Sequence, residues 1–468
     1  MSPPMQRKLV IRNARAVVTC DDTDRVLRDA DIAVEGQRIT ALGRGLVVDG
    51  AETLDARGKL VYPGLVNTHH HFFQTFVRNL LAVDYPSLSV LDWIERIYQI
   101  FQLVDAEVIY HSSLVAMADL LKHGCTCAFD HQYCFPRRAG KALVDRQFEA
   151  AALLGIRYHA GRGANTLPMS EGSTIPDEML ESTDEFLADC DRLIGLYHDP
   201  RPFSMRQVVV SPCQPINCRR ETFAESLAFA REKGVLLHTH LGEGENPPMV
   251  ARWGKRTLEW CEELGFVGPD VWLAHAWELT PEEHRTLART GTGVSHCPAP
   301  ATLGGFPILD LPAMMAAGVR LGLGCDGSAT NDSSNLLDSL RMAYLMQAFH
   351  AKARGACPTP YQLLKLACAG GADLLGRADL GSLEVGKAAD LFMVDTDKLE
   401  LAGALHDPMN LLARTGVVGP VHLTMVVGEV VWADGRLRDV DERRLAEEAE
   451  RACDRVIRSR SAAYGGAP

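Results

Sequence analysis

The sequence has no apolar run of membrane-spanning length, no cluster of Lys and Arg, no paired Cys-x-x-Cys unit and no low-complexity tract. Each absence removes a class of function. A membrane helix needs about 20 consecutive apolar residues, and Met1-Ser2-Pro3-Pro4-Met5-Gln6-Arg7-Lys8 runs straight into a strand-like segment without an apolar leader. Nucleic-acid binding calls for a basic stripe, whereas 60 acidic residues outnumber 48 basic ones, for a formal net charge of -12. The expected partner is a neutral or cationic small molecule, with neither nucleic acid nor membrane. The 13 cysteines are odd in number and scattered through apolar segments, with Cys125-Thr126-Cys127 the nearest approach to a pair. That usage fits buried thiols in a reducing cytoplasm, not a disulfide framework.

What is present is enough apolar content, 47% of 468 residues, to bury a large core. Strand-like runs alternate with helical patterns through the middle of the chain, the signature of a parallel α/β arrangement. The segment from Ala106 to His123 reads as a helix, with Asp105 as N-cap, apolar residues spaced by three and four, and Gly124 as stop, leading into a strand over Thr126 to Phe129. Short strands separated by turns occupy both ends. At the front they are Leu9-Val10-Ile11-Arg12-Asn13 to Val17-Val18-Thr19, Asp31 to Val34 and Arg38 to Leu42. At the back they are Ala389 to Val394 and Thr424 to Trp432, with Gly428 and Asp434-Gly435 as turns. The segment from Asp441 to Arg460, with alternating Glu and Arg, reads as a solvated terminal helix.

Four separated polar pieces each follow a strand-like run: Thr68-His69-His70-His71, His238-Thr239-His240-Leu241-Gly242-Glu243, Ala274-His275-Ala276 and Gly324-Cys325-Asp326-Gly327. In a (β/α)8 barrel the strand ends form the catalytic face. Side chains alternate along a strand, so His69 and His71 face one way and His70 the other. Two imidazoles at that spacing grip one divalent ion, and His240 with Asp326 completes a site that keeps a position open for water. Glu243, three residues past His240, is placed to exchange protons with that water. His238 shares a face with His240 but lies one layer deeper, which suits support of a ligand. His131 and His159 also follow strand-like runs and are expected in supporting or structural roles. Glu245 could rival Glu243 for the proton-transfer role.

The entry phrase Pro63-Gly64-Leu65-Val66-Asn67-Thr68-His69-His70-His71-Phe72-Phe73-Gln74, the stretch His240 to Glu243, His275 and Asp326 together resemble the amidohydrolase superfamily, in its branch that deaminates nitrogen heterocycles. The likeness covers nearly the whole chain. Within that branch, Gln74-Thr75-Phe76-Val77-Arg78-Asn79-Leu80, Leu241-Gly242-Glu243-Gly244-Glu245 and the run from Gly265 to His275 resemble the enzymes that remove an alkylamine from a hydroxylated s-triazine. The resemblance implies an α/β fold, a (β/α)8 barrel over 63–384 beside a small β-sandwich built from 1–62 and 385–440, with 441–468 as terminal helix and tail. It implies one zinc ion on His69, His71, His240 and Asp326, for which Fe(II) or Mn(II) are alternatives that the same donor set accepts. It also implies Glu243 as proton shuttle, His275 and Asp326 as the groups that orient the attacking water, and Gln74 in hydrogen bonding to the heterocycle. Trp93 is a candidate for packing on the flat ring, and Gln214 for a pocket contact. Binuclear members carry a carboxylated Lys at the end of the fourth barrel strand. Here Arg206 to Val210 ends in Ser211-Pro212-Cys213-Gln214, so a mononuclear site is expected.

The reaction implied is attack of water on the ring carbon that bears the amine, transfer of a proton by Glu243 to the adjacent ring nitrogen, and loss of ammonia or an alkylamine. His296-Cys297-Pro298-Ala299-Pro300-Ala301-Thr302 lacks the Ser-Asn pair of purine-type members, which favours an N-alkylated ring such as hydroxyatrazine, giving N-isopropylammelide. The alternative is a purine, pterin or pyrimidine such as 8-oxoguanine, guanine or isocytosine, with Cys213-Gln214 and Ala299 to Thr302 as the segments that decide. A silent scaffold of the same fold is the third reading. A homodimer or higher homo-oligomer is expected for a soluble enzyme of this size.

Overall fold

A computed structural model describes residues 7–79 and 88–464. Outside them lie residues 1–6, read above as lacking a leader, Leu80 of the Gln74-to-Leu80 motif, and residues 465–468 of the terminal segment.

The first strands are β1 (Lys8–Val18), β2 (Val26–Glu35), β3 (Arg38–Gly43), β4 (Glu52–Asp55) and β5 (Lys59–Pro63). The barrel strands are β6 (Leu65–Asn67), β7 (Cys125–Gln132), β8 (Arg157–Ala164), β9 (Arg206–Pro212), β10 (Leu237–Leu241), β11 (Val271–His275), β12 (Gly293–His296) and β13 (Arg320–Leu323). The last are β14 (Leu391–Asp395), β15 (Leu423–Val426), β16 (Glu429–Ala433) and β17 (Arg436–Leu437). Strands β6 to β13 close into a barrel in which each described pairing is parallel. Both chain ends share one nine-stranded mixed sheet, ordered β17-β16-β15-β14-β5-β1-β2-β3 with β4 on β1. The fold is therefore the expected α/β barrel with a second β-structure from the two ends.

Local chemistry accounts for the elements that carry the site. Every residue of β7 and β8 is buried, as expected of strands with barrel interior on one side and helices on the other. The helix Ala106–Lys122 starts where the Asp105 side chain accepts from Glu107 N and Val108 N, and Gly124 follows it with φ 81°. The strand after it is longer than expected, reaching Gln132. The strand expected over Leu9 to Thr19 is β1, with a bulge between Ile11 and Ala14. Asn13 supplies the bend with φ 61°, and its N–H donates to Asp31 Oδ1 at 2.9 Å. The strands β4 and β17, four and two residues long, went unread because they are too short to show alternation.

Only Gly64 separates β5 from β6, so the sheet delivers the chain into the barrel five residues ahead of His69. A buried joint fixes that hand-over: Arg157 of β8 donates to both oxygens of Asp390, at 2.7 and 3.0 Å, and to the carbonyls of Phe203 and Ser204. Gly64 N donates to the Asp390 carbonyl at 3.0 Å. The segment 442–464 is a helix, as expected from its charges. Among the described residues no helix is long and apolar enough to cross a membrane.

Candidate metal centre

His69 and His71 follow β6, His240 lies within β10, His275 ends β11 and Asp326 stands three residues past β13. All converge at the strand ends. The ligand atoms of His69, His71 and Asp326 lie within 4.8 Å of one another, and so do those of His69, His240 and His275. The backbone bends sharply to bring them there. His275 and Asp326 have φ 70° and 63°, a left-handed conformation that costs a non-glycine residue about 1–3 kcal/mol. Hydrogen bonds brace it: Asp326 N donates to His69 O at 3.1 Å and Ala276 N to Leu241 O at 2.8 Å. Gly324 lets β13 approach, since a Cβ there would come within 2.9 Å of His69 Cβ and Ser295 Oγ.

The tautomers follow from the carbonyls each imidazole faces. His71 Nδ1 donates to His131 O at 2.9 Å and His240 Nδ1 to Cys213 O at 2.7 Å. His238 Nδ1 donates to Trp272 O at 2.9 Å, so its Nε2 is an acceptor, and His69 Nδ1 donates to it at 2.9 Å. All three Nε2 atoms of His69, His71 and His240 are therefore bare lone pairs. Two of them, on His71 and His240, face each other at 3.1 Å. His69 Nε2 and Asp326 Oδ1 are buried without hydrogen bonds although 3.3 Å apart. Lone pairs gathered in this way repel unless a cation lies among them, and neutral imidazole with carboxylate is a donor set for a divalent transition ion. The residues fit a metal.

Burial holds the imidazoles of His69, His238, His240 and His275 neutral. It pushes His69 down to about 4, against the opposing pull of Asp326, and His275 down to about 3. His240 and His238 are held well below the usual histidine range for the same reason. Burial, with the carboxylates of Asp326, Glu245 and Glu278, pushes Glu243 well above the usual range. Glu243 Oε1 lies 3.3 Å from His275 Nε2. The Glu245 carboxylate turns away and accepts from the N–H groups of Gly242 and Glu243, so it shapes the loop that presents Glu243 and does not rival it.

A cavity opens over this cluster, lined by His71, Gln74, Val90, Trp93, Ile94, Tyr98, Tyr133, Cys213, Gln214, Asn217, His240, Glu243, His275, Asp326 and Thr330. It brings Gln74, Trp93 and Gln214 together with the donor cluster. Residues 299–302 are not among its lining. They belong to the short helix Pro298–Leu303, so of the two segments expected to decide the substrate only Cys213-Gln214 reaches the cavity. His131 donates from Nε2 to Ser211 O at 2.8 Å and stacks on His240, with ring centroids 4.8 Å apart. His159, the third residue of β8, sits at the opposite end of the barrel against Arg377, 3.2 Å away. The sequence reading missed Val90, Ile94, Tyr98, Tyr133, Asn217 and Thr330. The spacing of Val90, Ile94 and Tyr98 with Trp93 on one face of the helix Val90–Phe101 was the available signal for the wall, and the strand-end position of Tyr133 was another. Thr330 donates to Asp326 Oδ2 at 2.7 Å, which leaves Oδ1 for the metal side.

Residues 60–431 match the model of the Amidohydrolase family. Among curated proteins, the hydroxydechloroatrazine ethylaminohydrolase of Pseudomonas sp. (strain ADP) is 56% identical over 452 residues, covering 94% of each chain. The 8-oxoguanine deaminase of Pseudomonas aeruginosa is 36% identical, over 96% of this chain and 98% of its own. Among solved structures, the zinc complex of atrazine chlorohydrolase from Arthrobacter aurescens TC1 superposes with a TM-score of 0.90 at 31% identity, covering 95% of this chain and 100% of that one. By the extent of the family match and of these likenesses, the chain belongs to the amidohydrolase family and is a hydrolase acting on carbon–nitrogen bonds.

Proposed function

We propose that this protein removes ethylamine from hydroxyatrazine, giving N-isopropylammelide, with one zinc ion held by His69, His71, His240 and Asp326. The observation that carries the reading is the 56% identity to the hydroxydechloroatrazine ethylaminohydrolase over 94% of both chains, with the convergent donor cluster beneath the cavity. When bound, a divalent ion supplies a Lewis acid that makes water nucleophilic near neutral pH. The chain's own groups do the rest. Glu243, raised above an ordinary carboxylate, is a base matched to taking a proton from the water and returning it to the ring nitrogen beside the reacting carbon. His275, 3.3 Å from Glu243, holds the water in line with the carbon. A C–O bond forms, the leaving nitrogen takes the remaining proton of the added hydroxyl, the C–N bond breaks, and the ring keeps a carbonyl.

The wall of Val90, Trp93, Ile94 and Tyr98 suits an alkylated ring, with Trp93 packed against its face and Gln214 offering an amide at its edge. The free, mostly buried thiols suit a reducing cytoplasm. The test is a mass-spectrometric product assay of the zinc-loaded protein with hydroxyatrazine, 8-oxoguanine, guanine and isocytosine. Ethylamine with N-isopropylammelide is the expected result. Ammonia from a nucleobase alone would replace the substrate and keep the chemistry.

A further inference from the structure

A phenol has one hydrogen to donate and two lone pairs to accept with. Tyr133, directly after β7, is 5% exposed, and its hydroxyl has one partner among the described residues, the Gln74 amide Nε2, which donates to it at 2.9 Å. An amide N–H cannot accept, so this contact uses a lone pair and leaves the phenol hydrogen uncommitted. The orientation of the amide is forced from its other end. Ala329 N donates to Gln74 Oε1 at 3.1 Å, which turns the NH2 group toward Tyr133. Gly327 lets the loop close on that amide, since a Cβ there would lie 1.9 Å from Gln74 Oε1. The ring of Tyr133 is equally constrained, edge-on to His71 with centroids 4.7 Å apart and stacked on Tyr98 at 5.9 Å. Tyr133 lines the cavity together with Gln74, Glu243 and His275.

We infer that the Tyr133 hydroxyl donates a hydrogen bond to the ring oxo group of the substrate, and that Gln74 is the positioning residue that aims it. A phenol keeps its proton at neutral pH, and a ring that fills the cavity displaces water from the hydroxyl and must itself accept the hydrogen or leave a buried donor unpaired. The inference rests on the proposed function only for the identity of the ring, since hydroxyatrazine as its lactam, 8-oxoguanine, guanine and isocytosine all carry a ring carbonyl. It makes the oxo group the discriminating feature. A chlorine at the same ring position, as in atrazine, is a poor acceptor and leaves the hydroxyl unpaired.

The experiment measures calorimetric affinity of zinc-loaded wild type, Tyr133→Phe and Gln74→Leu for hydroxyatrazine and for atrazine, with zinc content and Tm recorded for each. Wild type is expected to prefer the oxo ring by on the order of 10-fold or more. Tyr133→Phe keeps the ring packing and should lose that preference while retaining zinc. Gln74→Leu keeps the phenol, frees its aim and should lose part of the preference, so it carries the test if the phenylalanine variant misfolds. A preference that persists in both variants, or a wild type with no preference, overturns the inference. Turnover is read separately: wild type that binds the oxo ring but releases no ethylamine overturns the proposed substrate and leaves the role of Tyr133 to the binding result.

Discussion

The arrangement of His69, His71 and His240 is set by atoms that never meet a substrate. Carbonyls of His131, Cys213 and Trp272, the last through His238, take the Nδ1 protons and turn three Nε2 lone pairs to one point. His238→Phe keeps a flat ring but leaves the buried His69 N–H without an acceptor. Metal affinity should fall on the order of 10–100-fold, measured by competition with a chelator, while an unchanged affinity would remove His238 from the support of the site. Glu243→Gln has the same shape and no base. It should keep its metal and lose kcat on the order of 100-fold or more, read by metal analysis beside turnover. Much of this was legible in the residues themselves, because His69 and His71 alternate with His70 just past β6, and His238 lies beneath His240 in β10. Tyr133 was not, since its partner Gln74 is 59 residues away in the chain and no local spacing announces the contact; Thr330 stands only four residues past Asp326, but nothing in its own surroundings marks it as that carboxylate's donor.

Among elements, the helix Val90–Phe101 is the one whose contribution was least visible. Its apolar face would read as ordinary core, and only its position over the barrel mouth makes Val90, Trp93, Ile94 and Tyr98 a cavity wall. The helix Ala106–Lys122 was legible in full because its signals are local: a capping Asp105, apolar spacing and a terminal glycine. Asp105 also pairs with Arg455 of the terminal helix Glu442–Tyr464 at 2.7 Å. Asp105→Ala removes the cap and that contact together. It should lower the apparent Tm by on the order of 1–2 °C and leave kcat/KM unchanged, as followed by calorimetry and a rate assay. The bulge at Asn13 escaped notice for a different reason: it depends on Asp31 from the neighbouring strand accepting the Asn13 N–H.

At the scale of the molecule, the buried Arg157–Asp390 ion pair joins the barrel to the sheet of the two chain ends, and the nearby Arg377–Asp379 pair holds the connecting segment against His159 and the Phe203 N–H. Burial opposes ionisation of Asp379, but the Arg377 guanidinium, with the Phe203 N–H, holds its carboxyl down to about 2. A depressed carboxyl stabilises the fold above its unfolded pKa of about 3.9, and that contribution is lost as pH falls from there through about 2. The pair should contribute on the order of 2 kcal/mol at neutral pH. In Asp379→Asn the acid limb of a Tm-against-pH curve between about pH 4 and 2 should be shallower than in wild type; two parallel curves would show that the pair does not set acid stability. The parallel α/β arrangement was legible from strand-like runs alternating with helices, and its closure into a barrel was implied by resemblance. The pairing of the two ends into one sheet was implied by resemblance alone, because nothing local in Leu391–Asp395 names Lys59–Pro63 as its neighbour.

Hydrolytic release of an alkylamine at the donor cluster is read from turnover of hydroxyatrazine by the zinc-loaded protein in oxygen-18 water. N-isopropylammelide carrying one heavy oxygen at the carbon that lost its amine, with an equal amount of ethylamine, is the predicted result. Unlabelled product, or no ethylamine under conditions in which the protein retains its zinc, would contradict it.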